Sequence, residues 1–257
     1  GSQSFDSATL FVDATNHRVG IGTASPNAAL QVAGLLTFES NDFNTFVGYE
    51  AGLQATTGTH NTAVGHQALR ENTEGVANTG VGTQALLSNT TGIHDTAVGT
   101  NALMSNTVGA ENTAIGTNAL MSNINGGWNS ACGSRALMAN TTGTSNSACG
   151  HAALRSNLTG NEGTATGFSA LFNNTTGSWN TATGVYALYT NTVGTNNTAM
   201  GAHALESNTG GAGNIAVGSK ALWLNTTGEN NTALGRLAFQ SGDAFSNATA
   251  LGFDAPI

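Results

Sequence analysis

The groups in this chain that could hold a metal ion or transfer a proton are six histidines, fourteen acidic residues and two cysteines. No GxSxG or HExxH motif brings any of them together in the sequence. No pair of acids stands out, because Glu71, Glu111 and Glu206 occupy different positions of the repeat described below and are isolated. We therefore expect no enzyme activity, no cofactor and no metal site, and we interpret five histidines as surface residues: His60, His66, His94, His151 and His203.

The two cysteines, Cys132 and Cys149, are the only thiols, and they are 17 residues apart. No CxxC motif or paired histidine accompanies them, which argues against a metal site. Other copies of the same segment carry valine, isoleucine or leucine at this place, so we interpret each cysteine as a small hydrophobic residue. A disulfide remains an alternative, because a stacked fold would bring the two residues close together.

Aromatic side chains are the best candidates for ligand binding, since they suit stacking on sugar faces or anchoring a protein interface. Most of them concentrate in the second half of the chain. The predicted ligand-binding residues are Trp128, Phe168, Phe172, Trp179, Tyr186 and Tyr189. Packing of these rings between subunits is the alternative.

The charge balance excludes two classes of partner. Lysine and arginine total six against fourteen acids, giving a net charge of −8. So few cations cannot neutralise many phosphates, so we expect no nucleic-acid partner. The same deficit disfavours anionic lipid surfaces. No apolar run approaches the length of a membrane span, so we also expect no membrane insertion.

A 17-residue repeat must position all of these residues. Its consensus is N-T-A-φ-G-x-x-A-L-x-x-N-T-T-G-x-x, where φ is apolar or threonine, and positions are numbered from the first asparagine. Eleven copies follow without insertion or deletion, starting at Asn61, Asn78, Asp95, Asn112, Asn129, Asn146, Gly163, Asn180, Asn197, Asn214 and Asn231. An imperfect copy starts at Asn44, and a shortened one is expected at Asn247 after a 16-residue step. A fixed period of this kind predicts a solenoid.

The residue types in the repeat favour β-structure. Glycine recurs at positions five and fifteen, and asparagine and threonine fill many others, which disfavours helices. We predict an all-β, parallel β-solenoid, or β-roll, with each coil made of two short strands and two turns. The segment A-L-x-x-N could instead form a helical turn. Twelve coils stacked about 4.8 Å apart would give a rod of roughly 58 Å.

The inward positions follow from the columns of the repeat. We assign the leucine of position nine to the core, together with φ and the alanines of positions three and eight. The leucines are Leu69, Leu86, Leu103, Leu120, Leu137, Leu154, Leu171, Leu188, Leu205 and Leu222. Asparagines at positions one and twelve should form ladders in which each amide bonds its copy in the next coil.

Four segments are predicted along the chain. Residues 1–2 are an expression scar, and residues 3–43 are an N-terminal β-rich cap or shaft. Residues 44–241 are the solenoid, and residues 242–257 are a C-terminal capping segment. Because the chain stops soon after a repeat, we expect that a further C-terminal domain was removed. The sequence has no signal-peptide pattern, and we expect that targeting information preceding Gly1-Ser2 was cut away.

So thin a core predicts oligomerisation, because a coil buries little apolar area against the entropy of ordering its residues. Position ten carries an apolar stripe that suits an interface between chains: Leu87, Met104, Met121 and Met138. Alternatively, these side chains cover the interior of their own coils.

The pentads NTAVG, NTAIG and NSACG are similar to the head repeats of trimeric autotransporter adhesins. Together with the preceding LFVDATNHRVGIGTASPNAALQV, the repeat resembles fibre proteins of phages and phage-derived particles. The resemblance covers residues 9–252 and implies an intertwined or side-by-side homotrimer, located extracellularly on a virion, a phage-like particle or a bacterial surface. The repeat also resembles bacterial surface proteins that carry a C-terminal chaperone domain. Two departures are that the adhesin repeats are usually shorter than 17 residues and that we recognise no chaperone domain in this sequence.

The combined hypothesis is a non-enzymatic, trimeric fibre or adhesin segment that attaches to a cell-surface receptor, a glycan or a protein. An ice-binding solenoid is the first alternative, because position two forms a threonine column, interrupted at Ser130 and Ser147. A purely structural spacer is the second. A glycan-cleaving enzyme is disfavoured because no acid pair is available.

Overall fold

The computed structural model describes residues 3–4, 10–21, 25–26, 30–32, 42–240 and 245–256. The chain divides into two compact units, residues 1–41 and residues 42–257. All regular secondary structure in the described residues is β-strand, and the A-L-x-x-N segments are turns rather than helical turns.

The first unit contains a four-stranded sheet. Its strands are β1 (Gln3–Ser4), β2 (Leu10–Asp13), β3 (Arg18–Ile21) and β4 (Leu30–Val32), in that order. The pairs β1–β2 and β2–β3 are antiparallel, and β3–β4 is parallel. The turn between β2 and β3 is held by Asp13, whose Oδ1 accepts hydrogen bonds from the backbone N–H groups of Thr15 and Asn16, both at 3.1 Å. Much of the apolar run Ala28–Phe38 lies outside the described residues.

The second unit is a parallel β-solenoid, as the repeat predicts. One 13-stranded sheet runs from β5 to β17 in sequence order, and each strand pairs in parallel with the next. The strands are β5 (Thr45–Val47), β6 (Thr62–Val64), β7 (Thr79–Val81), β8 (Thr96–Val98), β9 (Thr113–Ile115), β10 (Ser130–Cys132), β11 (Ser147–Cys149), β12 (Thr164–Thr166), β13 (Thr181–Thr183), β14 (Thr198–Met200), β15 (Ile215–Val217), β16 (Thr232–Leu234) and β17 (Thr249–Leu251).

Each coil has one strand, not the two that the sequence suggested. The reason lies in the backbone outside the T-A-φ strand. Positions seven and nine, in the A-L segment, and position seventeen, at the end of the repeat, adopt left-handed conformations that a strand cannot contain. In the coil of Asn112, these residues are Asn118, Leu120 and Trp128, with φ of 58°, 49° and 57°. This coil therefore contains three left-handed residues other than glycine.

The core contains the leucines of position nine and the alanines of positions three and eight, all of them almost fully buried. The φ residue of position four does not join them, so that part of the prediction is wrong. A three-residue strand alternates its side chains, and because the alanine of position three points inward, positions two and four point outward. The narrow interior is filled from the opposite side by leucine and asparagine.

The asparagine ladders are present, in two forms. At position twelve, each Nδ2 donates to the Oδ1 of the preceding copy, as from Asn123 to Asn106 at 2.8 Å. At position one, Oδ1 accepts from the backbone N–H of the next copy, and Nδ2 donates to the carbonyl of the glycine at position fifteen. Asn197 illustrates both roles, bonding Gly211 O at 2.8 Å and accepting from Asn214 N at 3.0 Å. Fully buried amides are thereby satisfied without water.

The two ends of the stack depart from the consensus in a complementary way. In the first coil Gly52 replaces the leucine of position nine, and the ring of Phe46 from position three occupies the space where its side chain would lie. In the last full coil Phe239 replaces the leucine and is 2% exposed. The final strand keeps the 17-residue step, since Thr249 pairs with Thr232. Ala248, not Asn247, therefore takes position one, and the predicted 16-residue step is wrong.

Candidate functional site

The structure separates the six predicted aromatic residues into two groups. Four of them form one connected cluster on neighbouring coils, which we call the aromatic cluster: Phe168, Phe172, Tyr186 and Tyr189. Trp128 and Trp179 stand on a different corner, at position seventeen of their coils. The two groups therefore offer different surfaces.

Within the aromatic cluster the rings contact one another directly. Phe172 stacks on Tyr189 with centroids 5.2 Å apart, and Tyr186 meets the edges of both Phe168 and Tyr189 at 5.5 and 5.2 Å. These distances lie in the range that stabilises aromatic pairs. Each contact joins adjacent coils or neighbouring corners, so the cluster links the coils that start at Gly163 and Asn180.

Charged and imidazole groups extend the cluster in both directions. His151 stacks on Phe168 at 5.2 Å, and Arg155 lies over the ring of Phe172 at 5.2 Å. On the other side His203 lies 5.4 Å from Tyr186, and its Nδ1 is 2.9 Å from Oε2 of Glu206. These stacked, edge-on and tilted contacts join the coils that start at Gly163 and Asn180 to each other and to the coils on either side.

The two tryptophans are placed differently. Trp128 is 63% exposed and Trp179 is 55% exposed, and neither has a ring partner among the described residues. Both adopt φ of 57°, and both backbone N–H groups bond the preceding coil, Trp128 to Ala110 O and Trp179 to Asn161 O, each at 3.0 Å. Their backbones are therefore fixed while the indole rings face solvent.

The outward side of the 13-stranded sheet is a surface of which the sequence analysis recognised only the threonine column. Its first column is the first residue of each strand β5–β17, mostly threonine, and its second column is the third residue, mostly apolar. No residue in either column carries a charge. Exposed members include Val64, Val98, Ile115, Met200 and Leu234. We call this surface the sheet face; the strict alternation of the T-A-φ strand was the signal that predicts it.

Two features of the sheet face bear on earlier expectations. Cys132 and Cys149 are exposed free thiols on paired strands, with no disulfide between them. A second threonine follows the first in strands β12 and β13, as Thr166 and Thr183. The threonines of the first column are half-buried or exposed and lie in register from strand to strand.

Asp95 is the one charged residue that is fully buried among the described residues of the solenoid. It replaces the asparagine of position one. Its Oδ2 accepts from Asn106 Nδ2 at 3.0 Å, and its Oδ1 accepts from Asn112. Burial raises the pKa of the Asp95 carboxyl to about 7, although these hydrogen bonds act in the opposite direction. The sequence carried the signal, because asparagine occupies this position in most copies.

Within the described residues, no group of three or more histidine, cysteine or acidic side chains is arranged to hold a metal ion. The same residues include no helix of the length and hydrophobicity that a bilayer crossing needs. No family model matches the chain, and no curated protein is significantly similar to it.

Proposed function

We propose that this chain is a non-enzymatic segment of a homotrimeric fibre that attaches a phage, a phage-like particle or a bacterium to a cell surface. The observation that carries the proposal is the uncharged sheet face, which follows all thirteen strands of the solenoid. A regular stack of this kind suits a shaft, because each coil repeats the contacts of the one before it.

The sheet face is best explained as a contact between copies of the chain. Large exposed apolar patches on soluble proteins mark interaction sites, and the second column of this face is valine, isoleucine, methionine or leucine except in strands β10–β13, which carry cysteine or threonine. Three copies related by a threefold axis would each bury the same surface. Such an arrangement is closed, so no sheet face is left free to bind a fourth copy. The stripe of position ten is half-buried by its own coil, so it has less apolar area left for such a contact.

Receptor attachment is supported by the aromatic residues that remain exposed after the solenoid has formed. Trp128 and Trp179 add little to the core, yet each exposes more than half of its surface. Rigid scaffolds commonly carry their binding residues on turns, which is where both tryptophans lie. The resemblance to fibre and adhesin repeats supports the same assignment. The implied location is extracellular.

Assembly is tested by light scattering on the full chain and on two matched variants. Wild type should have three times the chain mass of 25.7 kDa. Val98→Glu places a carboxylate on the sheet face and should give single chains with an unchanged circular dichroism spectrum, because its desolvation opposes association. Thr91→Glu is the control, since position fourteen already carries Glu74 in another copy. A wild-type mass of one chain contradicts the trimer.

Attachment is tested by binding the labelled full chain to bacterial and eukaryotic cells and to a glycan array. Retention on at least one surface, competed by unlabelled chain, is the expected result. Absence of binding to every cell type and to the glycan array would contradict attachment and support the structural-spacer alternative.

Ice binding is the second candidate, favoured by the outward threonine column and by the paired threonines of β12 and β13. The in-register spacing of about 4.8 Å along the column could order water in a regular array. Thermal hysteresis of the purified chain decides this alternative. We expect none, because apolar residues fill most of the second column and Ser130 and Ser147 interrupt the first.

A further inference from the structure

The two exposed tryptophans occupy a backbone position that does not favour them. Position seventeen is left-handed in every coil, and residues such as Gly213, Asn196 and Asn230 adopt this conformation at lower free energy. A bulky indole there adds backbone strain of roughly 1–2 kcal/mol and leaves an apolar surface in water. Neither cost is recovered inside the chain, because neither ring packs on another ring in the described residues. Every coil shares this backbone conformation, so it is the exposure of the two large apolar rings that points to a function.

The register of the sheet fixes the distance between the two indoles. Trp128 and Trp179 lie in the same column, three coils apart, and the strands of those coils pair without a slip. Three steps of about 4.8 Å separate the two backbones by roughly 14 Å along the solenoid axis. An extended chain of a few sugar rings is long enough to contact both.

The surface between the tryptophans is polar. The intervening residues of their column are Ser145 and Glu162, both exposed. Beside them, Asn161 Oδ1 accepts from the backbone N–H of Thr144 at 2.8 Å and from its Oγ1 at 3.0 Å. The hydroxyl of Ser178 accepts from the backbone N–H of Asn161 at 3.0 Å. Hydroxyl and amide groups between two flat apolar rings match the alternating polar edges and apolar faces of a sugar chain.

The charges select among saccharides. Glu162 lies between the tryptophans and Glu111 lies one coil before Trp128, whereas no lysine or arginine occupies this column. An anionic polysaccharide would be repelled, and a neutral one would not. A protein partner is less well matched, because an isolated pair of rings separated by polar groups gives no continuous apolar core.

We propose that Trp128 and Trp179 form the two ends of a binding site for a neutral, linear polysaccharide that lies along the solenoid axis. The proposal rests on the attachment function above and names the ligand class and the residues. It assigns the aromatic cluster a structural role.

The test is isothermal titration calorimetry of the full chain with cellohexaose, chitohexaose and mannohexaose, and with the matching disaccharides. At least one hexasaccharide should bind and its disaccharide should bind at least tenfold more weakly, because only the longer chain reaches both rings. Trp128→Asn and Trp179→Asn should each weaken hexasaccharide binding about tenfold. The double variant should abolish it.

Asparagine is chosen because other coils carry it at the same left-handed position, so both variants should keep or raise the melting temperature. A tryptophan that merely packs in the fold would instead lower it. Trp223→Phe is the control, since Trp223 lies at position ten beside Lys220 and should leave binding unchanged.

Three outcomes overturn the site: no hexasaccharide binds, the double variant retains its affinity, or either asparagine variant reduces the oligomer mass. The cell-binding assay separates this inference from the attachment function. Equal cell binding by wild type and the double variant would overturn the site and leave attachment in place. Hexasaccharide binding by a chain that scatters as a single copy would support the site and contradict the trimeric fibre.

Discussion

Asp95 Oδ1 accepts two hydrogen bonds from a single residue, Asn112, one from its backbone N–H at 2.8 Å and one from its Nδ2 at 3.1 Å. In neighbouring coils an asparagine takes the place of Asp95, and its Nδ2 occupies the place of Asp95 Oδ2. That nitrogen donates to a glycine carbonyl, as from Asn78 Nδ2 to Gly92 O at 2.7 Å. A carboxylate oxygen in that place has no proton to donate. Protonation would restore a donor there, and burial, which raises the pKa of the carboxyl, favours the protonated form.

This carboxyl predicts a pH-dependent stability. Its pKa is raised from 3.8 to about 7 in the folded chain. The stabilisation of the protonated form is therefore complete below pH 4 and is lost as the pH rises toward 7, because the unfolded chain ionises first. The loss is on the order of 4 kcal/mol. Asp95→Asn should raise the free energy of unfolding by up to that amount at pH 8 and change it little at pH 3.5.

Urea denaturation of wild type and Asp95→Asn at the two pH values measures this difference directly. Comparing the two proteins at each pH removes the contribution of the other titrating groups. The same increment at pH 3.5 and pH 8 would show that the carboxyl titrates alike in the folded and unfolded chains.

Gly163 predicts a stabilising substitution. Gly163 occupies position one, where an asparagine Oδ1 normally accepts from the backbone N–H of the next copy, as Asn180 Oδ1 does from Asn197 N at 3.0 Å. Because glycine has no side chain, the backbone N–H of Asn180 lacks this acceptor. A side chain at residue 163 would first meet Asn146 Oδ1 at 3.0 Å and Leu154 at 3.4 Å, both of them side-chain atoms. Gly163→Asn should therefore restore the ladder and raise the free energy of unfolding by about 1–2 kcal/mol. Thermal denaturation provides the measurement, with Gly163→Ala as the control that fills space without adding the bonds. An alanine variant as stable as the asparagine variant would assign the gain to reduced chain entropy instead.

The glycines of position five predict a steric limit. Gly116 has φ of +134°, and a Cβ there would lie 2.7 Å from the backbone carbonyl atoms of Gly133 in the next coil. Gly116→Ala should destabilise the solenoid by about 2–6 kcal/mol, combining backbone strain and overpacking. Gly210→Ala is the matched control, since its Cβ would meet only a Val193 methyl at 3.7 Å. Melting temperatures of the two variants should differ widely, and similar values would show that the coils can move apart to accept a methyl group.

Leu137 and Met138 predict opposite responses at adjacent positions. Leu137 is fully buried, whereas Met138 is half-buried. Leu137→Ala should lower the free energy of unfolding by about 2–5 kcal/mol through the cavity it leaves, and Met138→Ala by less than about 1.5 kcal/mol. Both substitutions are made in the Val98→Glu background, which should give single chains. The urea midpoints then contain no contribution from association. If both variants lost the same stability, the inward register of the A-L turn would be wrong.

The repeat was sufficient to predict the solenoid, because one fixed period with small and amide residues leaves few alternatives to stacked parallel coils. It did not predict how a coil turns. Leucine at φ near +50° is rare in isolation, and only the hydrogen bonds to both neighbouring coils, such as Leu120 N to Ala136 O at 3.0 Å, maintain it. That energy comes from stacking and cannot be read from one copy.

The candidate site was predictable in its residues and not in its grouping. The sequence singled out six aromatic residues by type, but whether rings face solvent or each other depends on which corner carries them. Phe172 and Tyr189 share position ten on successive coils and therefore stack, whereas Trp128 and Trp179 are three coils apart and cannot. The outward orientation of φ was missed because its apolar character was taken as evidence of burial.

The two phenylalanines that close the stack, Phe46 and Phe239, make the ends independent of the number of coils between them. Inserting or deleting 17 residues in the interior would leave both phenylalanines in place and keep the backbone period of the remaining coils, because every interior coil has the same length. Each such event would change the reach of the solenoid by about 4.8 Å. The length of this protein can therefore change during evolution in steps of one whole coil, by unequal recombination within its own coding sequence.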